Sequence, residues 1–129
     1  MHTTTIHVRW GELDPYNHVN HAVYSSYLEH ARVAALEYAD RGLDTLSDAG
    51  LQIVVVRSDV RFRAPATAGD ELTITTKVAE VRGASMVWEQ HIHRGDEAIV
   101  SAEITAAVLT GGRPSRIPDD LKAVLTVLG

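Results

Sequence analysis

The chain has 129 residues, 45% of them hydrophobic and 22% charged, with a formal net charge of -5 and no cysteine. That length predicts one compact domain over residues 1–129 rather than two. Mild acidity gives no global pull on nucleic acid or anionic lipid, and the lack of cysteine excludes disulfides, thiolate nucleophiles and Cys-ligated zinc. The opening "MHTTTIHVRW" has no apolar signal-peptide stretch, and no apolar run is long enough to span a bilayer. A cytoplasmic protein that contacts neither membrane nor nucleic acid is therefore predicted.

"TTTIHVRW" alternates, with Ile6, Val8 and Trp10 on one side and His7 and Arg9 on the other, which predicts a strand. "GELDP" supplies a turn. Asn20 is a natural helix N-cap, since its side chain can accept from an amide in the first turn. After it Tyr24, Tyr27, Leu28, Ala31, Ala34, Ala35 and Tyr38 recur at helical spacing. Glu37 and Arg41 stand four apart in the favourable order, and Gly42 is a natural stop. "LDTLSDAG" reads as a connector. "LQIVVVRSDVRFRAP" begins as a continuous apolar run, as in a fully buried strand, and then alternates until Pro65 ends it.

"LTITTKVAEV" is a β-branched alternating strand. "RGAS" turns into "MVWEQHIH", which places Met86, Trp88, Gln90 and Ile92 on one face, and "RGDE" makes a hairpin into "AIVSAEITAAVLT". "PDDLKAVLTVL" reads as a short terminal helix with Pro118 near its first turn. The order is strand, long helix, four hairpin-linked strands, short helix. This is an α+β pattern in which a five-stranded antiparallel sheet wraps a long central helix, because a nearly all-round apolar helix must be covered.

The stretch "D-P-x-x-H-V-N-x-x-x-Y-x-x-Y-x-E-x-A-R" from Asp14 to Arg32, followed by "RFRAPATAGDEL", resembles the hotdog-fold acyl-CoA thioesterases of the 4-hydroxybenzoyl-CoA thioesterase-like group. The resemblance covers nearly the whole chain. It implies a hotdog fold, hydrolysis of an acyl-CoA to free acid and coenzyme A, no cofactor, and a homodimer or homotetramer. It also implies that Asp14 is the catalytic carboxylate, as general base or nucleophile, and that His21 or His18 assists it. His21 matches the branch acting on short acyl-CoAs, and His18 matches the plant acyl-carrier-protein thioesterases. Two positions depart from the pattern: Asn17 stands where Gly often precedes "HVN", and Tyr16 where the plant group carries Asn. The alternatives within the same fold are an acyl-carrier-protein thioesterase and a non-catalytic binder of acyl thioesters.

The chemistry is consistent with that resemblance. Thioester hydrolysis needs a base for water and donors for the oxyanion, and a helix start offers unpaired N–H groups and the positive end of the dipole. The amides near His21, Ala22 and Val23 lie there and are candidate substrate donors. The plain readings stand beside these: an Asp before Pro is an ordinary turn former, and either histidine can simply hydrogen-bond the loop. Tyr24 and Tyr27 read as core, and Glu29 as a partner for Arg32, with a role as base only in a different hotdog lineage. Arg57, Arg61 and Arg63 share a strand face, with Arg82 in a later turn. Such a row is either solvated or a grip on the phosphates of coenzyme A. His91 and His93 share a face but have no evident third ligand, so no metal is predicted.

Overall fold

The computed structural model describes residues 1–39 and 41–129. β1 (His2–His7) leads through a 3-10 turn at Trp10–Glu12 to α1 (His21–Tyr38) and α2 (Leu43–Asp48). β2 (Leu51–Phe62), β3 (Glu71–Val81), β4 (Ser85–Arg94) and β5 (Glu97–Thr110) follow, then the two-residue β6 (Arg113–Pro114) and α3 (Asp119–Val127). The five long strands form one antiparallel sheet in the order β1-β3-β4-β5-β2, and β6 pairs with β5. The α+β arrangement of a long helix held against a five-stranded sheet is therefore present.

α1 starts where the cap predicts, with Asn20 Oδ1 accepting from the Ala22 amide at 2.9 Å. Its buried stripe is Tyr24, Tyr27, Leu28, Ala31, Ala35 and Leu36. The small Ala31 and Ala35, both wholly buried, let the helix lie close to β1 and β3. The even positions of β4 complete the core as predicted, with Met86, Trp88, Gln90 and Ile92 all at most 1% exposed. Leu121 and Leu125 seat α3 on the same core, and the Val78 amide donates to Leu128 O at 2.9 Å.

Several expectations are corrected. β2 forms no hairpin with β3. It pairs with β5, and the chain crosses from one edge of the sheet toward the other through residues 63–70. That crossing is anchored: Val19 N–H donates to Ala66 O at 2.8 Å, and Val8 N–H to Asp70 O at 2.9 Å. The apolar start of β2 is not fully buried, since Val55 is 47% and Val56 61% exposed. β2 is an edge strand and α1 rests on the opposite half of the sheet, so this part of β2 has little cover within the chain.

β1 stops at His7, and Trp10 turns outward into the 3-10 element. The connector "LDTLSD" is helical, with Leu46 buried. Gly42 caps the start of that helix rather than the end of α1, which finishes at Tyr38. Tyr38 itself faces out. Because α1 ends there, Glu37 and Arg41 lose their helical spacing, and Arg41 pairs with Asp120 at 3.1 Å.

Candidate active site

The loop between the 3-10 turn and α1 is closed on itself. Leu13 and Val19 form a bridge, and the Asp14 amide donates to His18 O at 2.7 Å. The reversal needs a left-handed residue, and Asn17 supplies it at φ 63°, a region Asn tolerates better than most side chains. This accounts for Asn at a position where the resembling pattern often carries Gly.

The same turn fixes Asp14. Its Oδ1 accepts from the amides of Tyr16 at 2.8 Å and His18 at 3.1 Å. Oδ2 has no partner among the described residues. The carboxylate is thus oriented by one oxygen and available through the other.

A brace behind the loop was not anticipated from the sequence. Tyr27 O–H donates to Glu12 Oε1 at 2.7 Å, Arg9 holds both Glu12 oxygens at 2.8 Å, and Asn20 N–H donates to Glu12 O at 2.9 Å. Burial pushes the Glu12 carboxyl up, but the hydrogen bonds from Arg9 and Tyr27 outweigh it and hold the group below the usual range. Burial, then the Glu12 contact, raise the Tyr27 phenol. The signal was present as Arg9 and Glu12 three residues apart, but nothing local linked them to Tyr27.

Asp14, His18, His21, Tyr24, Phe62 and Pro65 line a recess of about 360 Å³. The His21 ring stacks on Phe62 with centroids 4.4 Å apart, and Tyr24 Oη accepts from the Ala66 amide at 3.2 Å. Phe62, Ala64 and Pro65 come from the "RFRAP" segment, noticed in the sequence as a strand end rather than as a wall of the site.

Of the three candidate donor amides at the helix start, two are already engaged. Ala22 N–H is spent on Asn20 Oδ1, and Val23 N–H on Asn20 O at 2.9 Å. Neither is left for a substrate. The His21 amide has no acceptor among the described residues and is the first-turn donor that remains.

The arginine row divides. Arg63 lines the Asp14 recess and bonds Ser101 Oγ at 3.0 Å. Arg61 lies in a neighbouring shallow depression among Asp59, Glu89 and Glu103, 3.9 Å from Asp59. Arg57 lines neither, and Arg82 is paired with Glu80 at 3.1 Å. Glu29 does not pair with Arg32, which bonds Gln90 instead, and it lies outside the Asp14 recess. His91 and His93 are stacked 6.1 Å apart, His91 bonds Glu89, and among the described residues no three metal-ligating side chains cluster.

The model of the thioesterase-like superfamily matches residues 8–125. The chain belongs to that superfamily. Its fold is the hotdog fold of thioesterase structures. It is 37% identical over 100 residues to the long-chain acyl-CoA thioesterase FadM of Escherichia coli, covering 78% of this chain and 75% of FadM. A hypothetical protein TT1821 from Thermus thermophilus superposes with a TM-score of 0.94 at 32% identity, covering 98% of each chain. A second Thermus thermophilus protein, a thioesterase solved with coenzyme A and Zn, superposes with a TM-score of 0.86 at 28% identity, covering 98% of this chain and 92% of that one. As in any superfamily, the fold alone does not set the substrate. Among the described residues of this superfamily member, no helix is long and apolar enough to cross a membrane.

Proposed function

We propose that residues 1–129 form one catalytic unit that hydrolyses acyl-CoA thioesters with Asp14 as general base. The observation that carries this is the Asp14 carboxylate, pinned through Oδ1 by two amides and unpaired at Oδ2, in one recess with the start of α1. Oδ2 takes a proton from water as the water oxygen attacks the thioester carbonyl. The His21 N–H and the α1 dipole receive the oxyanion. The C–S bond then breaks, and the thiolate leaves as coenzyme A once protonated. The likeness to FadM and to the coenzyme A-bound thioesterase supports coenzyme A as the thiol. Arg63, at the rim of the recess, is the phosphate contact.

The His21 ring, packed on Phe62, holds the substrate side of the recess, whereas His18 contributes mainly its amide to Asp14. His21→Ala therefore loses more activity than His18→Ala. The working form is a symmetric homo-oligomer in the cytoplasm. A second copy pairs with the open edge of β2 and covers Val55 and Val56, since an uncovered apolar edge invites strand pairing. Static light scattering should give a dimer or tetramer at micromolar concentration, and a clean monomer removes this assembly.

The functional test is a panel of acyl-CoAs, with the same acyl groups on a carrier protein, assayed for released thiol. Turnover of the CoA series that is lost in Asp14→Asn is the expected result. Turnover confined to carrier-protein substrates moves the assignment to that class, and no turnover of either rejects the hydrolase.

A further inference from the structure

The loop that carries Asp14 is a small antiparallel ladder. Asn20 N–H donates to Glu12 O at 2.9 Å, Leu13 bridges Val19, and Asp14 N–H donates to His18 O at 2.7 Å. Its returning arm runs into α1 through Asn20 and is held from outside. Val19 N–H donates to Ala66 O at 2.8 Å, and the Thr67 hydroxyl donates to Asn17 O at 2.9 Å. The outgoing arm, residues 12–14, bears the carboxylate and is tied differently. Among the described residues its hydrogen bonds stay within residues 9–20, with one exception: Tyr27 O–H donates to Glu12 Oε1 at 2.7 Å.

That exception is a rigid anchor. Tyr27 is 3% exposed, and its ring meets Tyr24 edge-on with centroids 6.0 Å apart, so packing fixes where the hydroxyl stands. Burial, then Glu12, raise the phenol above its ordinary value, which keeps it a donor at neutral pH. Arg9 also grips Glu12, but it stands on the same segment with a side chain 78% exposed, and the two can move together. Tyr27 belongs to α1 and lies about 9 Å of helix rise past His21. The hydroxyl therefore ties the Asp14 arm to the same rigid body that presents the His21 amide.

We propose that Tyr27 and Glu12 are positioning residues for hydrolysis: the contact between them sets the Asp14 carboxylate at its working distance from the His21 amide. The attacking water must meet Asp14 Oδ2 while the carbonyl oxygen meets His21 N–H. A misplacement of about 1 Å between two such groups costs on the order of 10²-fold in rate. Neither Tyr27 nor Glu12 lines the recess, so loosening their contact acts on kcat rather than on KM. This role rests on the thioesterase reading; the clamp itself does not.

Tyr27→Phe keeps the packed ring and removes only the hydroxyl. kcat should fall about tenfold, less than for full misplacement because the ladder remains, with KM within about twofold of wild type. Glu12→Ala should show the same loss, and it carries the same test if Tyr27→Phe fails to fold. Glu12→Gln, which keeps an acceptor for the phenol, should recover most of the rate. Combining Tyr27→Phe with Glu12→Ala should cost no more than Glu12→Ala alone, and in an Asp14→Asn background the Tyr27→Phe loss should vanish, because the clamp acts only through that carboxylate. Amide exchange read by mass spectrometry should speed up over residues 12–19 in Tyr27→Phe and stay unchanged in β4. Normal kcat in folded Tyr27→Phe and Glu12→Ala overturns the proposal. So does an equal fractional loss with and without the Asp14 carboxylate, the mark of a general lesion. Unchanged exchange over the loop removes the clamp. Faster exchange there in a protein that hydrolyses no thioester keeps the clamp and rejects the thioesterase reading.

Discussion

At the Asp14 loop, most polar groups find partners close by in sequence: Asp14 with Tyr16 and His18, Glu12 with Arg9, Asn20 with Ala22. At Arg32, further along the same helix, the partners are Gln90 and, through it, Thr76, and the buried Trp88 N–H nearby has no acceptor among the described residues. The first region is a self-supporting loop that leaves a single carboxylate oxygen spare. The second is assembled from distant strands and leaves a donor spare. A spare acceptor suits taking a proton from water. Both regions lie on one helix, and substitutions in each should fail in different ways.

The largest effect is expected at Asp14. Asp14→Asn keeps the two amide contacts at Oδ1 but cannot accept a proton at the amide nitrogen. kcat should fall by about 10²- to 10⁴-fold, the usual contribution of a positioned base, with KM and melting temperature close to wild type. Near-normal kcat in a folded variant places the base elsewhere and removes the contrast between the regions. Glu29, outside the recess, should tolerate Gln with little change in kcat.

Next comes Gln90→Leu, which should affect stability through the second region. It strands the buried Thr76 hydroxyl, takes the acceptor from a part-buried Arg32 N–H and removes the second donor to the Leu28 carbonyl. Each buried group left unsatisfied costs about 1–3 kcal/mol, so urea unfolding should show a loss of at least that order. An unchanged midpoint means that the network is not tied together as the geometry indicates.

A smaller effect separates the arginines. Arg63→Ala should raise KM more than it lowers kcat, and added salt should mimic it, because exposed charge contacts are screened. Arg57→Ala and Arg61→Ala should leave KM unchanged. Equal KM effects from all three restore a continuous row across the strand face.

The smallest is an acid response of the Asp14 loop. Glu12 and Asp70 are both pushed up by burial, but hydrogen bonds and ion pairs leave each below its ordinary value of 4.5 or 3.8. A depressed folded-state value stabilises above the unfolded value and is lost as pH falls through the folded one. Thermal melts should therefore be insensitive to these two groups at neutral pH and decline progressively below about pH 4.5. Glu12→Gln should flatten part of that decline, and an identical acid profile in the variant would exclude Glu12 as a source.

Much of the first region was legible because it is local. The Pro turn, the Asn20 cap and the helical periodicity all lie within one stretch, and the family resemblance rests on those residues. Even there, one consequence was missed: a cap that uses the Ala22 amide withdraws that amide from substrate, which leaves His21 as donor. Phe62 was seen as a strand residue, because its packing on His21 requires the ends of β2 and α1 to meet. The expected hairpin between β2 and β3 fails for a similar reason. Hairpin signals report which strands are adjacent in sequence, but the anchored crossing at residues 63–70 carries the chain away from β2 and leaves β5 as its partner.

The sequence by itself determined the α+β class, the capped start of α1, the alternating core face of β4 and the carboxylate at the loop, since each depends on backbone preferences and periodicity over a few residues. Only the tertiary structure decided that Val55 and Val56 are exposed, that Arg63 alone of its row reaches the site, and that Arg32 meets Gln90 instead of Glu29. Those outcomes depend on which strands pair and where the helix rests on the sheet. Burial and hydrogen-bond partnership between distant residues follow from that global packing, and local pattern carries no record of it.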